Sequence, residues 1–103
     1  MEQTTIFIGT DAFLTIRYLS FEKFCAKFYD YIHTRSISDM QSDYESARSL
    51  CETYKKIGAY IDVAFCNYSF YKTVLLYITS QCPSISSMYD VYKADRLKGD
   101  TTL

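Results

Sequence analysis

Along most of the chain, apolar residues recur at steps of three and four, the spacing that places side chains on one face of an α-helix. The first such stripe predicts a helix from Phe21 to His33, with Ser20 placed to cap it or to bend the chain before it. A second stripe predicts a helix from near Ser38 to a stop at Gly58. The apolar positions are Phe21, Phe24, Cys25, Phe28 and Ile32 in the first helix, and Met40, Tyr44, Ala47, Cys51 and Tyr54 in the second.

The second half of the chain continues the helical spacing. Residues 59–67 keep the period of a helix, and Ser69 is predicted to open a strongly apolar helix that ends at Cys82-Pro83. A last helix is expected over residues 86–97, terminated by Gly99. The chain therefore divides into helices of ordinary length joined by short turns.

A nine-residue pattern occurs twice, at Ser36–Tyr44 and at Ser84–Tyr92. Ser-Ile-Ser, a Met and a final Tyr recur at one fixed offset, and each copy comes soon after a Tyr-Ile pair. The pattern predicts a helix, a turn and a serine-capped helix, used twice as two helix-turn-helix hairpins. The predicted caps are Ser38, with Gln41 completing a capping box, and Ser86, or Ser84 if the helix starts earlier.

The N-terminal segment supports two predictions. Residues 4–8 are β-prone, Gly9-Thr10-Asp11 is typical of a turn, and residues 13–19 alternate loosely, which together indicate a β-hairpin with a three-residue loop. Leu14 and Tyr18, however, continue the steps of the following helix, with Asp11 as a candidate N-cap. We favour an extended arm followed by helix from about residue 11.

These patterns together predict an all-α fold: a compact bundle of four to five helices with an extended, or β-stranded, N-terminal segment. With 103 residues the chain suits one domain, and its 3 Gly and 1 Pro are too few for an all-β sandwich. Within that domain, residues 1–10 are expected to form the arm and residues 100–103 a frayed tail.

Metal and membrane chemistry find no support in the sequence. The four cysteines are too far apart to form a Cys-x-x-Cys pair, and His33 is the single histidine, so we expect reduced, mostly buried thiols and neither metal nor cofactor. The first residues lack the basic start and apolar run of a signal peptide, and no apolar stretch is long enough to cross a bilayer. We therefore expect a cytoplasmic protein.

Catalysis is not predicted either. His33 lies at a predicted helix end, but no sequence signature brings a nucleophile to it. Gly9 stands alone rather than in a glycine-rich loop, so a nucleotide site is not indicated.

One stretch, Ser36 to Ile61, resembles a helix-turn-helix or winged-helix module. That resemblance implies a DNA-binding regulator in which Arg48, Lys55 and Lys56 contact phosphates. The net charge of −1 argues against nucleic acid, as do Glu45 and Glu52 on the side of the helix that would face DNA. DNA binding is therefore the alternative function.

Tyrosine is abundant, with 11 residues, and it is enriched at protein–protein contacts. The tyrosines beside the apolar stripes are the predicted exposed contact residues, and the β-prone N-terminus offers a second route, by pairing with a partner's sheet or with a second copy as a homodimer. We therefore predict a small non-enzymatic protein that binds another protein and modulates or inhibits it. Its Tyr-, Ile- and Phe-rich composition without Trp suits a phage, a virus or another mobile element. The predicted contact residues are Tyr29, Tyr31, Tyr71, Tyr89 and Tyr92.

Overall fold

The computed structural model describes residues 2–7 and 13–97, with side chains from Arg17 to Leu97. Two antiparallel strands lead into four helices that pack as a bundle, and these described residues confirm the predicted fold class. Among them, no helix is long and apolar enough to span a bilayer. The elements are β1 (Glu2–Phe7), β2 (Phe13–Tyr18), α1 (Phe21–Thr34), α2 (Ile37–Lys56), α3 (Asp62–Ile78) and α4 (Ile85–Leu97).

The N-terminal segment is a β-hairpin, so the helix predicted from residue 11 is wrong. β1 and β2 pair from Glu2 opposite Tyr18 to Phe7 opposite Phe13. The β-branched and aromatic residues of both strands favour a pleated surface, and each strand is completed by its partner's hydrogen bonds. The apolar residues of β2 also fit the spacing of a helix, and that local spacing does not show that β1 pairs with β2. The turn predicted at Gly9-Thr10-Asp11 lies outside the described residues.

Ser20 caps α1 by accepting a bond from the Lys23 amide, as predicted. In α2 the predicted cap is wrong by two residues, because Ser36 rather than Ser38 occupies the N-cap. The Ser36 hydroxyl accepts from the Asp39 amide at 3.1 Å, and the Asp39 carboxylate accepts from the Ser36 amide at 3.5 Å. Asp39 thus takes the place predicted for Gln41 in the capping box, and its negative charge also suits the positive end of the helix.

The repeated pattern marks two helix starts. The Ser84 hydroxyl accepts a hydrogen bond from the Ser87 amide at 3.2 Å, and α4 begins at Ile85, directly after Ser84. The methionines of the two copies, Met40 and Met88, are both buried. Both copies of the repeat therefore form the same local structure, a serine that caps a helix followed by a methionine in the core.

α3 starts at Asp62 and not at Ser69, which lies in mid-helix. Ser69 is buried and donates to the Asp95 carboxylate at 2.7 Å, and Lys72 donates to the same carboxylate at 3.0 Å. This triad joins α3 to α4, which explains why a serine tolerates the helix interior. α2 ends at Lys56, and Gly58 follows with a φ of +70°, as predicted for the helix stop.

The core forms around α3, which packs along α2 and α4 and meets α1 through aromatic rings. Phe24 lies 5.6 Å from Phe70, and Phe28 lies 5.2 Å from Tyr77, ring centroid to ring centroid. The four cysteines are free thiols, and the three that are buried are Cys51, Cys66 and Cys82. The tail after Leu97, including the predicted terminator Gly99, lies outside the described residues.

Side chains of α4 fasten the hairpin to the bundle. At Leu19, between β2 and α1, Tyr92 accepts from the backbone N–H and Tyr89 donates to the carbonyl, both at 2.9 Å. Arg96 donates to the Arg17 carbonyl at 2.9 Å. The buried Arg96 also pairs with the carboxylate of Asp62 and donates to the hydroxyl of Tyr60. One buried guanidinium thereby ties β2, the α2–α3 linker, α3 and α4 together.

Candidate functional site

A cleft of about 240 Å³ lies over α3, with α2 as one wall. Its lining mixes small apolar side chains with hydrogen-bonding groups, and side chains of α1 reach the same surface of α3. We call this site the α3 cleft. Its residues are Asp43, Ser46, Ala47 and Leu50 from α2, and Ala64, Asn67 and Tyr71 from α3.

The apolar part of the α3 cleft opens to solvent. Leu50 is 46% exposed, although Ala47 and Ala64 beside it are largely covered. Val63 is 65% exposed and lies one turn before Asn67, on the same face of α3. At such exposure these two branched side chains contribute less to folding than a core residue does, and they extend an apolar surface that a partner can cover.

Two of the predicted tyrosines meet beside the cleft. Tyr31 and Tyr71 have ring centroids 5.4 Å apart, and the Tyr31 hydroxyl donates to the Asp43 carboxylate at 2.6 Å. Burial raises the pKa of both tyrosines above the ordinary value. Asp43 raises the pKa of Tyr31 further through its hydrogen bond and its charge, and that of Tyr71 through its charge, whereas Arg35 opposes both shifts. Both hydroxyls therefore stay protonated at neutral pH.

Lys27 of α1 reaches the cleft from the other side. Its ammonium donates to the Asn67 side-chain carbonyl at 3.5 Å and lies 4.6 Å from the Phe70 ring centroid. Burial lowers the pKa of Lys27, and within residues 17–97 no carboxylate lies within 4 Å of it. Lys27 is thus a half-buried cation with neutral partners.

The five predicted contact tyrosines do not form one surface. Tyr71 lines the α3 cleft and Tyr31 borders it through Tyr71 and Asp43, whereas Tyr29 is 53% exposed beside Phe28 and outside the cleft lining. Tyr89 is half-buried. Tyr92 is fully buried, so its prediction as an exposed contact residue is wrong.

The reason for the burial of Tyr92 is that its hydroxyl finds partners inside the bundle. Besides the Leu19 amide, it lies 3.1 Å from the Cys66 sulfur. Sequence reasoning also missed Lys27, Leu50 and Asn67. The signal that could have found Lys27 is its position one helical turn before Tyr31, on the same face of α1.

The helix-turn-helix resemblance over residues 36–61 is not reproduced in three dimensions. α2 is one unbroken helix of 20 residues, and residues 59–61 lead directly into α3 instead of a wing. Arg48 lies between two carboxylates, Glu45 at 3.7 Å and Glu52 at 3.2 Å, which raise its pKa. The other two proposed phosphate contacts, Lys55 and Lys56, are exposed near the end of α2, and DNA binding itself stays a prediction.

The described residues outside the α3 cleft show no arrangement typical of a catalytic or metal site. His33 is exposed at the end of α1, with its Nδ1 2.6 Å from the Tyr29 carbonyl oxygen. Within the described part of the chain, no group of three or more His, Cys, Asp or Glu side chains could hold a metal ion. A second cleft of about 250 Å³ includes Lys72, whose charge Asp95 already balances.

Comparison with known protein families, with curated proteins and with solved structures found no match to this chain. What the protein does must therefore be inferred from its own side chains.

Proposed function

We propose that the protein is a small non-enzymatic module that binds another protein and modulates or inhibits it, with the α3 cleft at the centre of the contact surface. The observation that carries this proposal is the exposed Leu50 in the same cleft as Tyr71, whose ring packs against the ring of Tyr31. The exposed Val63 lies one turn before Asn67 of the cleft, on the same face of α3. An apolar centre bordered by tyrosines and polar groups is the usual anatomy of a protein–protein interface.

Exposed apolar side chains outside the cleft can extend the contact. A stable interface buries about 800 Å² on each partner, which is more than a cleft of this size supplies alone. Exposed apolar side chains continue at the end of α2 and before α3, where Ile57 is 71% and Ile61 41% exposed. We infer that a partner covers these residues together with the cleft.

We further infer that the module acts in the cytoplasm, and its composition suits a phage, viral or mobile-element origin. The first inference rests on the four free cysteines, and the second rests on composition. The proposal that the α3 cleft binds a protein does not depend on either.

Affinity capture with matched variants tests the proposed function. Leu50→Asp places a charge in the α3 cleft, and Ile37→Asp makes the same change at the 59% exposed start of α2, outside the cleft lining. With immobilised protein and a cytoplasmic extract, we expect one partner to be retained by the wild type and by Ile37→Asp, and lost with Leu50→Asp.

Circular dichroism of each variant separates a lost contact from a lost fold. Equal retention by both aspartate variants would contradict the proposal. Retention that nuclease abolishes, and that replacement of Lys55 and Lys56 weakens, would favour the DNA-binding alternative.

A further inference from the structure

The position of Lys27 is unusual for a lysine. Its ammonium is half-buried against the Phe70 ring and has the neutral Asn67 oxygen as its polar partner. Charged groups that leave water are normally paired with an opposite charge, because desolvation is costly. Lys72, by comparison, is covered to a similar degree and has Asp95 at 3.0 Å. Lys27 is therefore half-buried like a lysine in an ion pair, but it has no carboxylate partner among residues 17–97.

The other charges near the α3 cleft do not supply that anion. Asp43 accepts the Tyr31 hydroxyl, and Arg35 is close enough to oppose its influence on both cleft tyrosines. Burial lowers the pKa of Lys27 and the Cys66 thiol raises it, and no carboxylate contributes to the shift. Among residues 17–97, neither Lys27 nor Asp43 has an ion-pair partner within 4 Å, so Lys27 is a half-buried cation that an incoming carboxylate can neutralise.

Asn67 adds neutral donors beside that charge. Its side-chain oxygen accepts from Lys27, and no hydrogen bond from its Nδ2 occurs among the described residues. An asparagine amide carries two N–H donors, so both remain available at the cleft. Lys27 and Asn67 together offer converging donors suited to an anion with two acceptor oxygens.

We propose, on the basis of the proposed function, that the α3 cleft binds an acidic segment of the partner, with a carboxylate on Lys27 and Asn67 and a neighbouring apolar side chain against Ala47, Leu50 and Ala64. A partner segment with a carboxylate next to an apolar side chain matches both the polar half of the cleft, at Lys27 and Asn67, and its apolar half, at Leu50. A nucleic-acid backbone matches them less well, because it brings no apolar group to the apolar half of the cleft.

A displayed library of random peptides tests the proposal. Peptides are selected on the wild-type protein, and those that still bind Leu50→Asp are discarded. We expect the remaining peptides to carry Asp or Glu close to a large apolar residue. Affinities are then measured for Lys27→Met, which keeps the apolar stem over Phe70, and for the control Lys23→Met, which removes an exposed lysine one turn earlier on α1.

Loss of a charge-assisted bond should weaken these peptides about tenfold or more in Lys27→Met and about twofold or less in Lys23→Met. Replacing the peptide's acid by its amide should weaken binding to the wild type equally, and should have no further effect on Lys27→Met. That loss of additivity identifies Lys27 as the acid's partner.

The possible failures are distinguishable. Cleft-binding peptides without an acid, or with affinities unchanged by Lys27→Met, would overturn the acidic-segment proposal and leave the protein-binding function standing. If no selected peptide depends on Leu50, the proposed function fails as well. Displacement of the peptides by a DNA duplex at low salt would assign Lys27 to nucleic acid and overturn the proposal.

Discussion

Replacing Asp62 by Ala tests the network that holds the hairpin to the bundle. The Arg96 side chain is 1% exposed, and its guanidinium pairs with the Asp62 carboxylate. Its remaining bonds go to neutral oxygens, the Arg17 carbonyl at 2.9 Å, the Tyr60 hydroxyl at 3.1 Å and the Asp62 backbone carbonyl at 3.5 Å. Asp62→Ala therefore leaves a buried cation without its counter-ion.

Breaking a buried ion pair costs about 3–5 kcal/mol of unfolding free energy. Because the Asp62 side chain is 26% exposed, water can reach the site, so we expect the lower end, about 3 kcal/mol. For a domain of this size, that corresponds to a fall of roughly 12–24 °C in Tm. Urea denaturation and thermal melts followed by circular dichroism measure both quantities.

Glu52→Ala is the matched control, because it removes a carboxylate from Arg48 where both partners are exposed. We expect little change in the free energy of unfolding, because solvent screens an exposed ion pair. Replacing Arg96 by Met in the Asp62→Ala background should restore part of the loss, since no buried charge then remains. Equal costs for Asp62→Ala and Glu52→Ala would refute the reasoning.

Three further predictions follow from the described contacts. Ser36→Ala should lower the free energy of unfolding by about 1 kcal/mol in urea denaturation, and Ser38→Ala by less than about 0.5 kcal/mol; the reverse order would contradict the capping assignment. Tyr92→Phe should cost about 1–3 kcal/mol, because it leaves the buried Leu19 amide without its acceptor. Stability should fall as the pH rises above about 10, because burial holds the pKa of Tyr31, Tyr60 and Tyr92 above that of the unfolded chain, which then releases its protons first. Denaturation that is independent of pH in this range would contradict it.

The helices could be predicted from the sequence because their apolar stripes are local. α1 and α2 depend on side chains three and four residues apart, and the serine repeat correctly indicated two helix starts. The sequence predicts the hairpin only as the second of two possibilities, because its pairing joins residues as far apart as Glu2 and Tyr18. Ser38 was mistaken for the cap because Ser-Ile-Ser offers two hydroxyls, and the choice depends on Asp39.

The α3 cleft could be predicted only in part. Tyr31 and Tyr71 were identified as contact residues by type and position, but their meeting depends on how α1 crosses α3. Tyr92 has the same residue type and is buried, because a distant backbone amide satisfies its hydroxyl. For Lys27 the sequence offers only its position one turn before Tyr31, since the partial burial of a lysine follows from the packing of a neighbouring helix.

Nuclear magnetic resonance mapping tests the claim that the α3 cleft is the contact surface most directly. The protein, at 12.0 kDa, suits amide chemical-shift titration with a retained partner or a selected peptide. The largest shifts are predicted in three segments, residues 27–31, 43–50 and 63–71. Shifts concentrated in β1, or around Lys55 and Lys56 with the cleft unaffected, would contradict it.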